Sequence, residues 1–144
     1  MNSKIIEKIK CDDILSKIIA SFDNNIYLVG GTVRDFYLGN DSVDRDIIVM
    51  DEDARKFALK LAEFFNAAFV PLDEENKIYR LVMRDKINYI DITNPIENSL
   101  EKDLMRRDLT INAIAVNIRT GEIDISEVLP ILETDINYVN EMNF

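Results

Sequence analysis

Asp44 and Asp46 flank Arg45 immediately before the apolar run Ile47-Ile48-Val49-Met50. Side chains on a β-strand alternate between its faces, so this spacing puts both carboxylates on one side. Two like charges held that close repel, and each is costly beside an apolar strand unless a cation lies between them. A divalent metal is the economical explanation. Mg²⁺ suits the pattern, because it is held through one or two carboxylates, keeps several waters and takes its remaining ligands from substrate phosphates. The competing reading is a solvated, Asp-rich turn, since Asp41 is also close by.

Upstream, the β-prone run Tyr27-Leu28-Val29 is broken by Gly30-Gly31, and helical spacing resumes from Thr32 to Leu38. Glycines at that point let backbone N–H groups approach an anion, and with the start of the following helix they form a nest for phosphate oxygens. Arg34 adds a fixed cation. A β-branched residue at Gly31 is expected to obstruct both the backbone angles and the phosphate. The alternative is a tight strand-to-helix connection with no ligand. Asp91, in Tyr89-Ile90-Asp91-Ile92-Thr93, lies on a strand that can run beside the Asp44–Asp46 strand. There it would supply the third carboxylate of a two-metal site, or else face water at a strand end. Arg106, Arg107 and Asp108 place two permanent cations and a carboxylate together. Their fork-shaped donors suit phosphate, although a surface ion-pair cluster would look the same.

The elements that must hold these groups are legible from periodicity. Ile5, Ile6, Ile9, Ile14, Leu15, Ile18, Ile19 and Phe22 have helical spacing, interrupted near Cys11-Asp12-Asp13, and form a covering layer. Asp51 is expected to cap a helix through Ala54, Phe57, Ala58, Leu61, Ala62 and Phe65. Residues 67–72, 78–83 and 89–93 read as a strand meander, Asn94-Pro95 closes it, and Ser99 is expected to cap a short helix through Leu104. Residues 113–125 read as a hairpin.

The 144 residues suffice for one domain with a real core, and 47% are apolar. With 17 Lys and Arg against 27 Asp and Glu, the net charge of −10 disfavours unaided binding along a nucleic-acid backbone. No histidine and one cysteine exclude Ser-His-Asp and Cys-His catalysis, ordinary structural zinc and an internal disulfide. The place of Cys11 in an amphipathic pattern predicts packing rather than reactivity. The start MNSKIIEKIK has no signal-peptide core and no run approaches a membrane span, so a cytoplasmic protein without a membrane partner is expected.

Taken together, Leu28-Val29-Gly30-Gly31, Val33-Arg34-Asp35, Leu38-Gly39 and Asp44-Arg45-Asp46 resemble the head-domain signature of the class II tRNA nucleotidyltransferase and bacterial poly(A) polymerase family. Residues Arg106 to Ala113, RRDLTINA, resemble that family's next block, in the expected order. The resemblance covers about residues 22–125. It implies an α/β, polymerase-β-like nucleotidyltransferase fold: a mixed, mostly antiparallel sheet of about five strands covered by helices. It implies catalytic roles for Asp44, Asp46 and Asp91, with Mg²⁺ on Asp44 and Asp46. The nucleotide, ATP or CTP, would be held by Gly30, Gly31, Arg34, Arg107, Asp108 and Asn112. The expected acceptor is the 3′-end of tRNA or another RNA. Neck, body and tail domains are expected to be absent, leaving RNA binding and base selection to a further region or a separate chain. A poly(A) polymerase head and a non-catalytic nucleotide-binding or interaction module are the alternatives.

Overall fold

The computed structural model describes residues 2–95 and 114–124. The expected Ser99–Leu104 helix, Arg106, Arg107, Asp108, Asn112 and residues 125–144 lie outside those residues.

The N-terminal apolar stripe forms two helices, α1 (Asn2–Cys11) and α2 (Asp13–Ser21). The break falls at Asp12, whose carboxylate accepts the Leu15 N–H at 3.0 Å and so caps α2. Ile5, Ile9, Ile14, Leu15 and Ile18 are buried as their spacing requires. Cys11 is exposed, against the expectation that it packs. It ends α1, and because the chain turns at Asp12 the stripe of Ile5 and Ile9 does not continue through it.

The chain continues as β1 (Ile26–Val29), α3 (Gly31–Tyr37), β2 (Asp44–Val49), α4 (Ala54–Phe65), β3 (Ala68–Asp73), β4 (Ile78–Val82), β5 (Tyr89–Thr93), β6 (Ala115–Asn117) and β7 (Ile123–Asp124). These strands make one seven-stranded sheet in the order β3-β4-β5-β2-β1-β6-β7. The β2–β5 pair is parallel and the others are antiparallel. The expected meander is β3-β4-β5. The sheet is wider than the expected five strands because the β6–β7 hairpin joins it, through the pairing of Val116 with Leu28.

One sheet face supplies the main core, while Asp44 and Asp46 share the other with the buried Ile48. Leu28, Ile47, Val49, Leu81, Ile90, Ile92 and Val116 form a single cluster with Ile5, Leu15 and Ile18 of the N-terminal helices, Val33 and Phe36 of α3, and Phe57 and Leu61 of α4. Hydrophobic burial therefore fixes which face of β2 turns inward, and a one-residue slip would reverse it. Arg45 shares that inward face, at the end of the strand, while Asp44 and Asp46 are left on the other.

The cap of α4 is Asp53, not Asp51: its carboxylate accepts the Lys56 N–H at 3.2 Å. The helix starts at Ala54, so Asp51 comes too early, and it instead accepts the Asn25 N–H at 3.0 Å. The hydrogen bond from Lys77, together with that from the backbone, holds the Asp53 carboxyl below its ordinary value of 3.8. A depressed native value means the unfolded chain takes up the proton first, so this contribution is full above the ordinary value and lost as pH falls through the native one. Asp53→Asn keeps an oxygen for the cap and loses the charge. Melting temperatures of wild type and Asp53→Asn should differ at neutral pH and converge in acid, once the Asp53 carboxyl is protonated in the native protein too; curves that run parallel down to acid would show that Lys77 adds nothing.

Candidate functional site

The face of the sheet opposite the main core gathers the acidic residues. Asp44 and Asp46 lie two apart on β2, Val29 of β1 is paired with Asp46 on one side, and Asp91 of β5 is paired with it on the other. Position and face are as the spacing predicts, and the parallel β2–β5 pairing is what brings Asp91 alongside. Asp41 stays apart, ion-paired to Lys8 of α1 at 2.7 Å.

Three polar side chains fix the start of β2, and none of their contacts is announced by spacing. Thr32, 1% exposed, donates its hydroxyl to the Asp44 carbonyl at 2.9 Å, tying α3 to the strand. The Ser42 hydroxyl lies 2.8 Å from the same carbonyl and 2.9 Å from Asp44 Oδ1, so its single proton serves one of the two at a time. On the inward face Arg45 donates to both Asp12 oxygens, at 3.0 and 2.6 Å, to the Val43 carbonyl and to Asn88 Oδ1. Asn88 is itself held by Asp85, which accepts both its backbone and its side-chain N–H. The residue between the two aspartates is thus the anchor of the strand that carries them.

The Gly-Gly turn lies against Asp46. Gly30 adopts φ 75°, ψ −154°, a region that only glycine occupies comfortably, and a Cβ there would stand 3.2 Å from Asp46 Oδ2. Gly31 differs from expectation: its φ is not in the glycine region, and its Cβ would meet only the guanidinium of Arg34, at 3.2 Å. The special backbone belongs to Gly30, which leads into α3, and Arg34 folds back over Gly31. Gly30→Ala should therefore cost roughly 1–3 kcal/mol in strain and crowding, while Gly31→Ala should be close to neutral. Equal melting temperatures for the two variants would contradict this assignment.

Both oxygens of Asp91 are already engaged by a cation. Arg80 of β4, its register partner, donates Nε to Oδ1 at 2.7 Å and Nη2 to Oδ2 at 2.9 Å. The same guanidinium lies 4.3 Å from the centroid of the Tyr89 ring. Its bond to Asp91 raises Arg80 further above its ordinary value. Nothing in the spacing of the sequence marks Arg80 as part of this cluster; only the β4–β5 register brings it in.

Hard carboxylate oxygens on one strand face, beside a glycine turn, are the donor chemistry that Mg²⁺ accepts. Among the described residues no group of three acidic side chains converges to cage an ion. No helix among the described residues is long and apolar enough to cross a membrane.

The Poly A polymerase head domain model matches residues 26–129. The chain belongs to that family. The CC-adding tRNA nucleotidyltransferases of Synechocystis and Thermus thermophilus are 39% and 38% identical to it, over 67% and 60% of this chain. The chain spans only 23% and 19% of those proteins' own length. A CCA-adding enzyme solved with CTP superposes with a TM-score of 0.73 and 25% identity, covering 96% of this chain and 35% of that one. The Thermotoga maritima CCA-adding enzyme solved with tRNA gives 0.66 and 31%, over 82% of this chain and 29% of its own. The fold is thus the polymerase-β-like nucleotidyltransferase fold, and Asp44, Asp46 and the Gly30-Gly31 turn all lie inside the matched span.

Proposed function

We propose that this chain is the catalytic head of a tRNA nucleotidyltransferase. It transfers a nucleoside monophosphate from CTP or ATP to the 3′-hydroxyl of tRNA and releases pyrophosphate. The observation that carries the reading is the pair Asp44 and Asp46 on one strand face, with the Gly30 turn packed against Asp46 Oδ2. The names of the relatives supply the substrate class.

Asp44 and Asp46 would hold Mg²⁺. When bound, the metal lowers the pKa of the attacking hydroxyl and neutralises charge on the triphosphate and leaving group. The protein's own work is positioning. Gly30 and Gly31 bring backbone close to the triphosphate, Arg34 lies over the turn to meet its oxygens, and Ser42 and Thr32 keep Asp44 in place. Arg107, Asp108 and Asn112, which the resemblance to the family motif assigns to the nucleotide, would contact its sugar and phosphates. Because the chain spans about a fifth to a quarter of its relatives, RNA grip and base choice are assigned to further sequence, in the same polypeptide or a partner. A tRNA substrate would place the reaction in the cytoplasm.

The test is incorporation of labelled CTP and ATP, with Mg²⁺, into tRNA lacking its terminal CCA, followed by sequencing of the products. Short C or CCA additions support the reading. A long adenylate tail would make the protein a poly(A) polymerase, and nucleotide binding without incorporation would make it a non-catalytic module.

A further inference from the structure

The register puts Asp91 beside Asp46, yet Asp91 does not converge with Asp44 and Asp46 on a common point among the described residues. The strand order explains the discrepancy. Asp91 lies on β5, between β4 and β2, with Arg80 directly opposite on one side and Asp46 directly opposite on the other. A guanidinium fork that takes both carboxylate oxygens draws the head of the carboxylate toward itself. Arg80 does so from the β4 side, away from Asp46.

We propose that Arg80 is a latch: it holds Asp91 out of the metal site in the metal-free protein, and a divalent cation draws Asp91 across to β2 by competing for the same oxygens. This rests on the reading of Asp44 and Asp46 as metal ligands. Without the latch, the charge of Asp91 would add to that of Asp46 across adjacent strands. With a dication in place, the guanidinium becomes a like charge at short range, and the balance reverses. Tyr89 makes the exchange practicable. Its ring, 4.3 Å from the Arg80 guanidinium carbon, remains as a partner for the cation once Asp91 has gone. Arg80 and Asp91 are 35% and 23% exposed, so the pair is reachable by an ion from solvent without unfolding of the sheet.

The proposal gives Arg80 a role opposite to that of an ordinary supporting residue. A hydrogen-bond partner that merely orients a metal ligand strengthens binding, and its loss typically weakens the metal site about 10- to 100-fold. A latch weakens binding, and its loss tightens it. Mn²⁺ affinity of the 144-residue chain, read by electron paramagnetic resonance of the free ion, separates the two. Arg80→Gln should bind Mn²⁺ roughly tenfold more tightly than wild type, a difference of about 1.4 kcal/mol. The Arg80→Gln, Asp91→Asn double variant should return to the affinity of Asp91→Asn alone. Arg80→Lys, which keeps the charge and loses the fork, guards against a folding defect in the glutamine variant and should fall between. Unchanged or weaker Mn²⁺ binding in both Arg80 variants overturns the latch while leaving the metal reading intact. No Mn²⁺ binding by wild type or by any Arg80 variant overturns both.

Discussion

Asp44→Asn and Asp46→Asn should each reduce nucleotide incorporation by about 10³-fold or more, since a metal site supplies several kcal/mol of transition-state stabilisation. Neither change should harm the fold. Both side chains lie on the face opposite the core cluster, and asparagine keeps an oxygen where Asp44 Oδ1 meets the Ser42 hydroxyl. Removing one of two neighbouring negative charges should leave the metal-free melting temperature unchanged or raise it. The measurement that distinguishes a catalytic role from a structural one is therefore melting with and without Mg²⁺. Wild type should gain stability from the ion by mass action, and the two variants should gain little. Incorporation that survives either substitution would sink the assignment of this pair.

Much of this site was legible because two short-range rules agree. Alternation placed Asp44 and Asp46 on one face, and the apolar residues Ile47 and Val49 decided that the opposite face would be buried. The Gly-Gly break likewise marked the strand-to-helix turn. The glycine with the special backbone was misplaced by one residue, because two adjacent glycines carry no local sign of which one adopts positive φ. Asp51 and Asp53 posed the same difficulty for the cap of α4: both are good caps, and the start of the helix is set by packing of Ala54 and Phe57 into the core. What spacing could not carry at all were contacts made by register across strands distant in sequence. Asp91 was placed near Asp46 only by supposing that β5 lies beside β2. The partnership of Arg80 with Asp91 depends on the further β4–β5 register. Arg45 is the sharpest case. Alternation turns it away from the two aspartates, yet nothing in the spacing names Asp12 and Asn88 as its partners.

That inward arginine leads to the largest expected loss of stability. Arg45 and Asp12 are 6% and 10% exposed, and Asp12 holds two of the guanidinium's nitrogens while also capping α2. Breaking a buried pair by removing one partner costs about 3–5 kcal/mol, because it leaves the other charge buried and uncompensated. Asp12→Asn isolates that term, since the amide oxygen can still accept the Leu15 N–H. Its cost should fall in that range, and Asp12→Ala should add about 1 kcal/mol for the lost cap. The double variant Asp12→Asn, Arg45→Met should be more stable than Asp12→Asn alone, because the methionine leaves no orphaned cation. Urea denaturation of wild type, Asp12→Asn, Arg45→Met and the double variant completes the cycle. An Asp12→Asn protein within about 0.5 kcal/mol of wild type would mean that water reaches Arg45 freely and that the anchor is superficial. The consequence for function follows from position. Arg45 joins β2 to the α1–α2 break and, through Asn88, to the β4–β5 turn, so it fixes both strands on which Asp46 and Asp91 face each other. Losing it should blur the spacing of those carboxylates before the domain unfolds, and metal affinity in Asp12→Asn should fall even under conditions where the protein remains fully folded.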